Sequence, residues 1–433
     1  MATIAIPVET KVRDLIGSVW LGINLVDDGH TIVIGRKTTI QQNHDVFGTD
    51  IYLGGGTISQ EVIYNYKKYS NANIDVLFLD TEGGIYHSEE AYKSRVNNDA
   101  KKYVTEFLAW GQNSGKIAKK SGYESVKTVG HPRFDLLKDE YKEIYDKERE
   151  LITRQFGEFL LINTNFSIVN HEYMSMKDFE KRVHQDRISH QLKTLEMFDD
   201  LILELGKRDI NVVIRPHPSE SHSYYQNKYE MYDNIHTVHE GNVRPWINAS
   251  CAVIHNNCTT AIESKMLNNP TLSYGPGNES YGKITLANDI SENFESKQNI
   301  LNRLEYLYTN PMRIELSEDE IDKIRKYIAN IEFDSVEKIC RIVSNYNTRE
   351  TTYNPKSKEY LKRIIVRAGG DSALSYTRSL AHGNRGELSN RKFGCITKQD
   401  IESATRDLLK LKDMDTVKVD EFRSLESAFR IME

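Results

Sequence analysis

Short apolar runs alternate with amphipathic stretches over about 340 of the 433 residues, the pattern of βα units on a mainly parallel sheet. Continuous apolar runs read as strands buried on both faces, and they predict strands over 3–6, 31–34, 75–79 and 126–129. Between them, apolar residues three or four apart predict helices over 12–26, 59–69 and 89–102. The stretch 138–150, KDEYKEIYDKERE, breaks the alternation with charge and reads as a solvated helix or linker at a domain boundary. The alternation then restarts with strand 159–163, a long amphipathic helix near 190–205, and strands 212–214 and 235–238. Strand 251–254, helix 259–267 and strand 271–274 follow. The expected fold class is α/β, with two Rossmann-like lobes, 1–150 and 151–345, and a cleft between them. A helical, basic extension, 346–433, ends the chain.

Composition narrows the partners. Lys and Arg number 57 against 63 Asp and Glu, a net charge of −6 that argues against a general nucleic-acid binder. Hydrophobic residues at 39% and charged residues at 28% suit a globular chain, and no window approaches the ~20 continuous apolar residues of a membrane span. The opening MATIAIPVET has neither a basic region nor a long apolar core, so no signal peptide is expected. Four cysteines, Cys251, Cys258, Cys340 and Cys395, form no CxxC and no standard zinc spacing. A reduced, cytoplasmic protein without structural metal is therefore expected. Residues 356–393 depart from the acidic balance, carrying nine Lys or Arg against three acids. Within them, 358–367 (KEYLKRIIVR) reads as a short basic amphipathic helix. Two readings stand: peripheral contact with the inner face of an anionic membrane, or docking on the acidic first lobe. Thr397 is a plausible N-cap for the mixed-charge tail that follows.

Open α/β sheets bind ligands past the carboxyl ends of their strands, so the residues there carry the chemistry. In INVVIRPHPSE, 210–220, two prolines end a strand and leave His217 beside Arg215. An imidazole so placed suits a phosphate oxygen or a leaving phosphate, or it is simply the cap of a Pro-rich turn. In the segment beginning CAVIHNNCTT, 251–260, a strand opens into His255-Asn256-Asn257 and then a helix starting at Thr259-Thr260. A helix start with two hydroxyls attracts anions, and Glu263, one turn deeper on the same face, suits the hydroxyls of a ribose. The plainer reading is a Thr N-cap and a surface Glu. In DVLFLDTEGG, 75–84, glycines after an acid leave Asp80 or Glu82 as a base or nucleophile, or make an ordinary acidic turn. Gly54-Gly55-Gly56 lacks the Lys-Ser/Thr of a P-loop and reads as a turn. His131-Pro132 is a second His-Pro, and Glu9 and Arg13 follow the first strand.

Three motifs in this order, acid-acid-Gly, His-Pro and a hydroxyl pair, resemble the bacterial sialyltransferases and polysialyltransferases, and the Kdo transferases of capsule synthesis. Closer in wording, IPVETKVRDLIG (6–17), DTEGGIY (80–86), FLAWGQ (107–112), VGHPRFDLL (129–137), IRPHPSE (214–220) and HNNCTTAIES (255–264) resemble the bacterial surface carbohydrate biosynthesis proteins. The resemblance covers about 4–280 and implies the GT-B fold and transfer of a CMP-activated ulosonic acid, nonulosonate or Kdo, into a capsule or O-antigen polysaccharide. It implies Glu82 or Asp80 as the catalytic carboxylate and His217 at the departing CMP phosphate. The donor side would comprise Arg215, His255, Asn257, Thr259, Thr260 and Glu263. The chain departs from the acid-acid-Gly pattern by Thr81. No metal or cofactor is implied beyond the donor, because His217, Arg215 and the helix start can neutralise a leaving monophosphate. The acceptor would be a glycan or lipid-linked glycan. The rivals are a CDP-glycerol or CDP-ribitol phosphotransferase of teichoic-acid type, a UDP-sugar 2-epimerase, and a non-catalytic nucleotide-sugar-binding partner.

Overall fold

The computed structural model describes residues 1–56, 58–84, 86, 88–96, 99–181, 183–239, 241–277, 285–346, 395–412, 414, 416–422, 425 and 427–432. The basic segment 356–393, with its expected helix, lies outside the described residues. Two Rossmann-like units make up the chain, in the α/β class that the alternation implies and the GT-B fold that the resemblance implies.

The first unit opens with β1 (Thr3–Val8), β2 (Thr31–Arg36), β3 (Ile51–Leu53), β4 (Asp75–Leu79), β5 (Glu106–Ala109) and β6 (Val126–Thr128). These strands are parallel in the order β2-β1-β3-β4-β5-β6. The central strands are apolar without alternation because both faces are covered, as in Ile32–Ile34 and Val76–Phe78, all at 0% exposure. β3 and β5 are not legible in the sequence, because runs of three and four residues are too short for periodicity to register.

The second unit holds β7 (Leu160–Asn163), β8 (Val212–Arg215), β9 (Ile235–Thr237), β10 (Ala252–His255), β11 (Thr271–Tyr274) and β12 (Glu292–Phe294). Their order is β12-β11-β10-β7-β8-β9, again all parallel. The chain fills one side of β7, then returns to fill the other from β10. The crevice past the carboxyl ends of β7 and β10 is therefore the topological switch point of this sheet, and that past β1 and β3 is the switch point of the first.

The units divide at different residues from those expected. The first comprises Met1–Leu136 and Ile324–Glu433, the second Leu137–Lys323. The charged stretch 138–150 is not a linker between units. It holds a 3-10 turn, Lys142–Tyr145, which buries Tyr145 in the second unit, and the start of helix Asp146–Phe156, which goes on to bury Ile152. The return to the first unit comes before 345, because Asn330 accepts from the His131 amide at 2.9 Å and donates to its carbonyl at 3.0 Å. Asp135 in turn accepts from the amides of Ser335 and Val336, at 2.8 and 3.0 Å, at the start of helix Ser335–Val343.

The C-terminal extension is not only helical. Thr397 caps helix Lys398–Leu409 as expected, its hydroxyl accepting from the Asp400 amide at 3.2 Å. Two further strands, β13 (Lys418–Glu421) and β14 (Ala428–Met432), then join the first sheet, β14 running antiparallel to β2. Gly35 makes that docking possible, since a Cβ there would stand 2.0 Å from the Ser427 carbonyl oxygen. No helix among the described residues is long and apolar enough to cross a membrane.

Candidate functional site

In the second unit, polar residues tie together the loops past β7, β8 and β10. The Asn165 amide donates to Asn256 Oδ1 at 2.8 Å, and Asn256 Nδ2 donates back to the Asn165 carbonyl at 3.2 Å. Asn163 Nδ2 donates to Thr260 Oγ1 at 3.1 Å. These bonds cross the β7/β10 switch point directly.

Glu220 fastens the β8 loop to the β7 loop. Its carboxyl is fully buried and accepts from four donors. One oxygen takes the amides of Phe166 (2.9 Å) and His217 (3.2 Å), the other the hydroxyls of Thr164 (2.9 Å) and Tyr225 (2.5 Å). Burial pushes this carboxyl up to about 7 despite those donors. His217 itself is half-buried, and its Nδ1 accepts the Ser219 amide at 3.2 Å. An Nδ1 used as an acceptor leaves the proton of the neutral ring on Nε2, so the loop selects the tautomer. The second His-Pro repeats the device: His131 Nδ1 accepts the Arg133 amide at 3.3 Å and N-caps helix Pro132–Asp135.

The structure reassigns several expected donor residues. His255 has 0% exposure; its Nε2 bonds Ser291 Oγ at 2.9 Å and its Nδ1 accepts the Cys258 amide at 3.4 Å. Burial pulls it down to about 3, so it is a neutral core residue rather than a ligand. Arg215 is buried, donates to the Gly241 carbonyl at 3.0 Å and lies over the Trp246 ring, holding the β8–β9 end together. Glu263 is not a surface acid: it is buried and accepts from Arg244 Nη2 at 2.9 Å, while Arg244 Nη1 reaches Tyr145 Oη at 3.5 Å. Thr259 stands at the N-cap position of helix Thr260–Met266 with no side-chain cap bond. The Thr260 hydroxyl is engaged by Asn163 and by Cys258 Sγ. Asn257 sits at φ +56 in the left-handed region, its amide oxygen accepting from Asn288 Nδ2.

In the first unit, the carboxyl ends of β1, β2 and β4 carry a second polar cluster. Glu9, one residue past β1, accepts from Thr81 Oγ1 at 2.6 Å and from Lys37 Nζ at 3.1 Å. Asp80 is buried and paired with Arg95 through two bonds of 2.9 and 2.7 Å, while Trp110 Nε1 donates to its backbone carbonyl at 2.6 Å. It anchors the loop, which removes it as a catalytic carboxylate. Glu82 is 45% exposed and stands 3.3 Å from both Arg13 and Arg95. Gly54–Gly56 is the expected turn past β3, and it lies against β4: a Cβ on Gly55 would meet the Leu79 carbonyl oxygen at 2.4 Å. Among the described residues, no group of three or more His, Cys, Asp or Glu is placed to hold a metal ion.

His217, Thr260 and Glu263 were named from the sequence, but not the residues that hold them and the rim: Glu220 at the His217 amide, Asn163 at Thr260, Arg244 at Glu263, and Asn165 across the switch point. A signal existed for three of them: Asn163-Thr164-Asn165 follows an apolar run directly, and Glu220 stands three residues beyond His217 in the quoted motif.

No protein-family model matches the chain, and no curated protein matches it in sequence. Solved structures do match in fold. The UDP-GlcNAc 2-epimerase of Neisseria meningitidis, bound to UDP-GlcNAc, is 13% identical with a TM-score of 0.52, over 80% of this chain and 100% of that one. The UDP-GlcNAc 2-epimerase of Methanocaldococcus jannaschii is 11% identical with a TM-score of 0.53, over 79% and 99%. The wall teichoic acid polymerase TagF is 11% identical with a TM-score of 0.51, over 79% and 88%. At these identities the likeness is one of fold.

Proposed function

We propose that this protein is an enzyme acting on a nucleotide-activated sugar or polyol, with the nucleotide phosphate held at the β7/β10 switch point of the second unit. One observation carries the reading. The loops past three adjacent strands, β10, β7 and β8, are bonded into a single polar rim at the place where open α/β sheets take their ligands. A rim fixed before the ligand arrives pays no reorganisation when charge develops on a departing phosphate. In this reading the Nε2 proton of His217 and the hydroxyl of Thr259 serve that phosphate, and Glu263, oriented by Arg244, serves the ribose. Release of the nucleotide accompanies transfer of the group it carried to an acceptor hydroxyl.

The folds of the matched structures support nucleotide-linked substrates of the UDP-GlcNAc or teichoic-acid kind. They lend nothing specific to a CMP-linked ulosonic acid, which rests on the motif resemblance alone. A second reading is a UDP-sugar 2-epimerase, favoured by the fold shared with the two epimerases. A thermal-shift series with UDP, CDP and CMP tests the proposal, because a ligand of the native state raises stability. We expect one of the three to raise Tm, and His217→Ala to abolish the rise. No shift with any of them contradicts the reading. Conversion of UDP-GlcNAc without acceptor and without nucleotide release would select the epimerase.

A further inference from the structure

We infer that Glu220 is the positioning residue of the nucleotide site, its one carboxyl setting both the His217 turn and the bridge across the β7/β10 switch point. This rests on the nucleotide reading proposed above, deepens it, and concerns the second unit alone. Pro216 and Pro218 have no N–H to give, so the turn around His217 depends on the few donors left to it. The Glu220 amide donates to the His217 carbonyl at 2.8 Å, and the His217 amide donates to Glu220 Oε1 at 3.2 Å. Glu220 closes the turn from both ends, by its amide and by its carboxyl. The β7 loop lies along it, the Glu172 amide on the Ser219 carbonyl at 3.0 Å and the Ser221 amide on the Asn170 carbonyl at 3.1 Å. The same carboxyl holds the residues on either side of Asn165, Thr164 by its hydroxyl and Phe166 by its amide, both at 2.9 Å. Asn165 is the residue that exchanges two bonds with Asn256, where the loop toward Thr259 begins. His217 and the Asn165–Asn256 bridge therefore share one anchor. With no exposed surface, Glu220 acts through them and not on the ligand.

The arrangement also fixes where a proton sits. Among the described residues, the donors to Glu220 are all uncharged, two amides on Oε1 and two hydroxyls on Oε2. An amide N–H only donates, whereas a hydroxyl also accepts, so the carboxyl proton belongs on the Oε2 side. There it is shared with Tyr225 Oη, 2.5 Å from Oε2 and 3.3 Å from Thr164 Oγ1, while both amides stay bonded to Oε1. The titratable groups facing Glu220 bring no positive charge to hold it ionised. Burial keeps Tyr225 and Cys258 protonated and neutral. His171, across from Glu220 in a single antiparallel bridge, and His217 both use Nδ1 to accept amides, as neutral rings do. Burial pushes the Glu220 carboxyl up to about 7 in the same sense. A phosphate at His217 and an ionised Glu220 behind the same turn repel each other, so nucleotide binding favours the protonated acid. Nucleotide affinity should therefore fall as pH rises through about 7.

Calorimetric titration of the intact chain with UDP, CDP and CMP, at about pH 6 and about pH 8.5, tests the inference. With the nucleotide that the native protein binds, Glu220→Ala should weaken affinity about tenfold or more at the lower pH, by letting His217 drift from its place. Glu220→Gln should restore it to within about threefold, because glutamine reproduces the neutral acid: its oxygen accepts both amides and its nitrogen donates to the hydroxyls. From the lower pH to the higher, the native protein should lose affinity about threefold or more relative to Glu220→Gln. Titration of the phosphate and of His217 cancels in that ratio, since both proteins share them, and a merely structural carboxyl would leave it flat. The ratio decides the matter if Glu220→Ala does not fold. Three results overturn the inference while the nucleotide reading stands: Glu220→Ala within about threefold of native, Glu220→Gln no better than Glu220→Ala, or a ratio unmoved by pH. Binding of none of the three nucleotides by the native protein overturns the nucleotide reading and this inference with it.

Discussion

Glu220 has no exposed surface, and burial pushes its carboxyl up to about 7. A folded-state value above the ordinary 4.5 means that the native state holds the proton more tightly, so the stabilising contribution is complete below about 4.5 and is lost as pH rises through about 7. Each pH unit in that window is worth about 1.4 kcal/mol, so urea unfolding should show the native protein losing about 2.5 kcal/mol relative to Glu220→Gln between pH 5 and pH 8. A difference that stays constant would show that the carboxyl does not titrate in that window. Arg244 and Glu263 make the opposite kind of pair, two buried charges that need each other. Arg244→Met should cost about 3–5 kcal/mol by stranding Glu263, and adding Glu263→Gln should recover much of that loss in a double-mutant cycle. Additive losses would mean that the contact carries no coupling. The Arg244–Glu263 pair was not legible in the sequence. Glu263 reads either as a ribose ligand or as a surface acid on a short helix, and its partner lies nineteen residues away on another one.

β14 is where the elements departed most from expectation. Its partner β2 lies about 390 residues away, and β13, KVDE, has the charge of a loop. Neither local pattern nor propensity announces such a strand, whereas β1, β4, β7, β8 and β10 were legible because strands covered on both faces must be continuously apolar. The same asymmetry governs the site. Strand ends followed by prolines, hydroxyls or acids were visible, but strand order determines which loops meet, and the β7/β10 adjacency appears only once the sheet is built. Gly35→Ala tests the element directly: the added methyl cannot coexist with the Ser427 carbonyl, so β14 must shift. We expect a loss of at least about 2 kcal/mol and faster hydrogen exchange in the β14 amides, with other strands of the sheet less affected. Unchanged exchange in β14 would contradict the docking.

At the scale of the whole molecule, the two units differ in how the chain builds them. The second is one continuous segment, 137–323, with its own core of β7, β8, β10 and β11 under helices Gln185–Lys207 and Lys297–Thr309. The first needs both ends of the chain. The 137–323 fragment expressed alone should therefore unfold in one cooperative transition, whereas 1–136, lacking β14 and helix Ser335–Val343, should not. That fragment also gives the most direct test of the central claim, that the nucleotide phosphate is held by the rim past β7, β8 and β10. Calorimetric titration of the fragment with UDP, CDP and CMP should show one of them binding with nearly the affinity of the intact chain, and His217→Ala should weaken it at least tenfold. Binding by the intact chain that the fragment lacks entirely, or that His217→Ala leaves untouched, would contradict it.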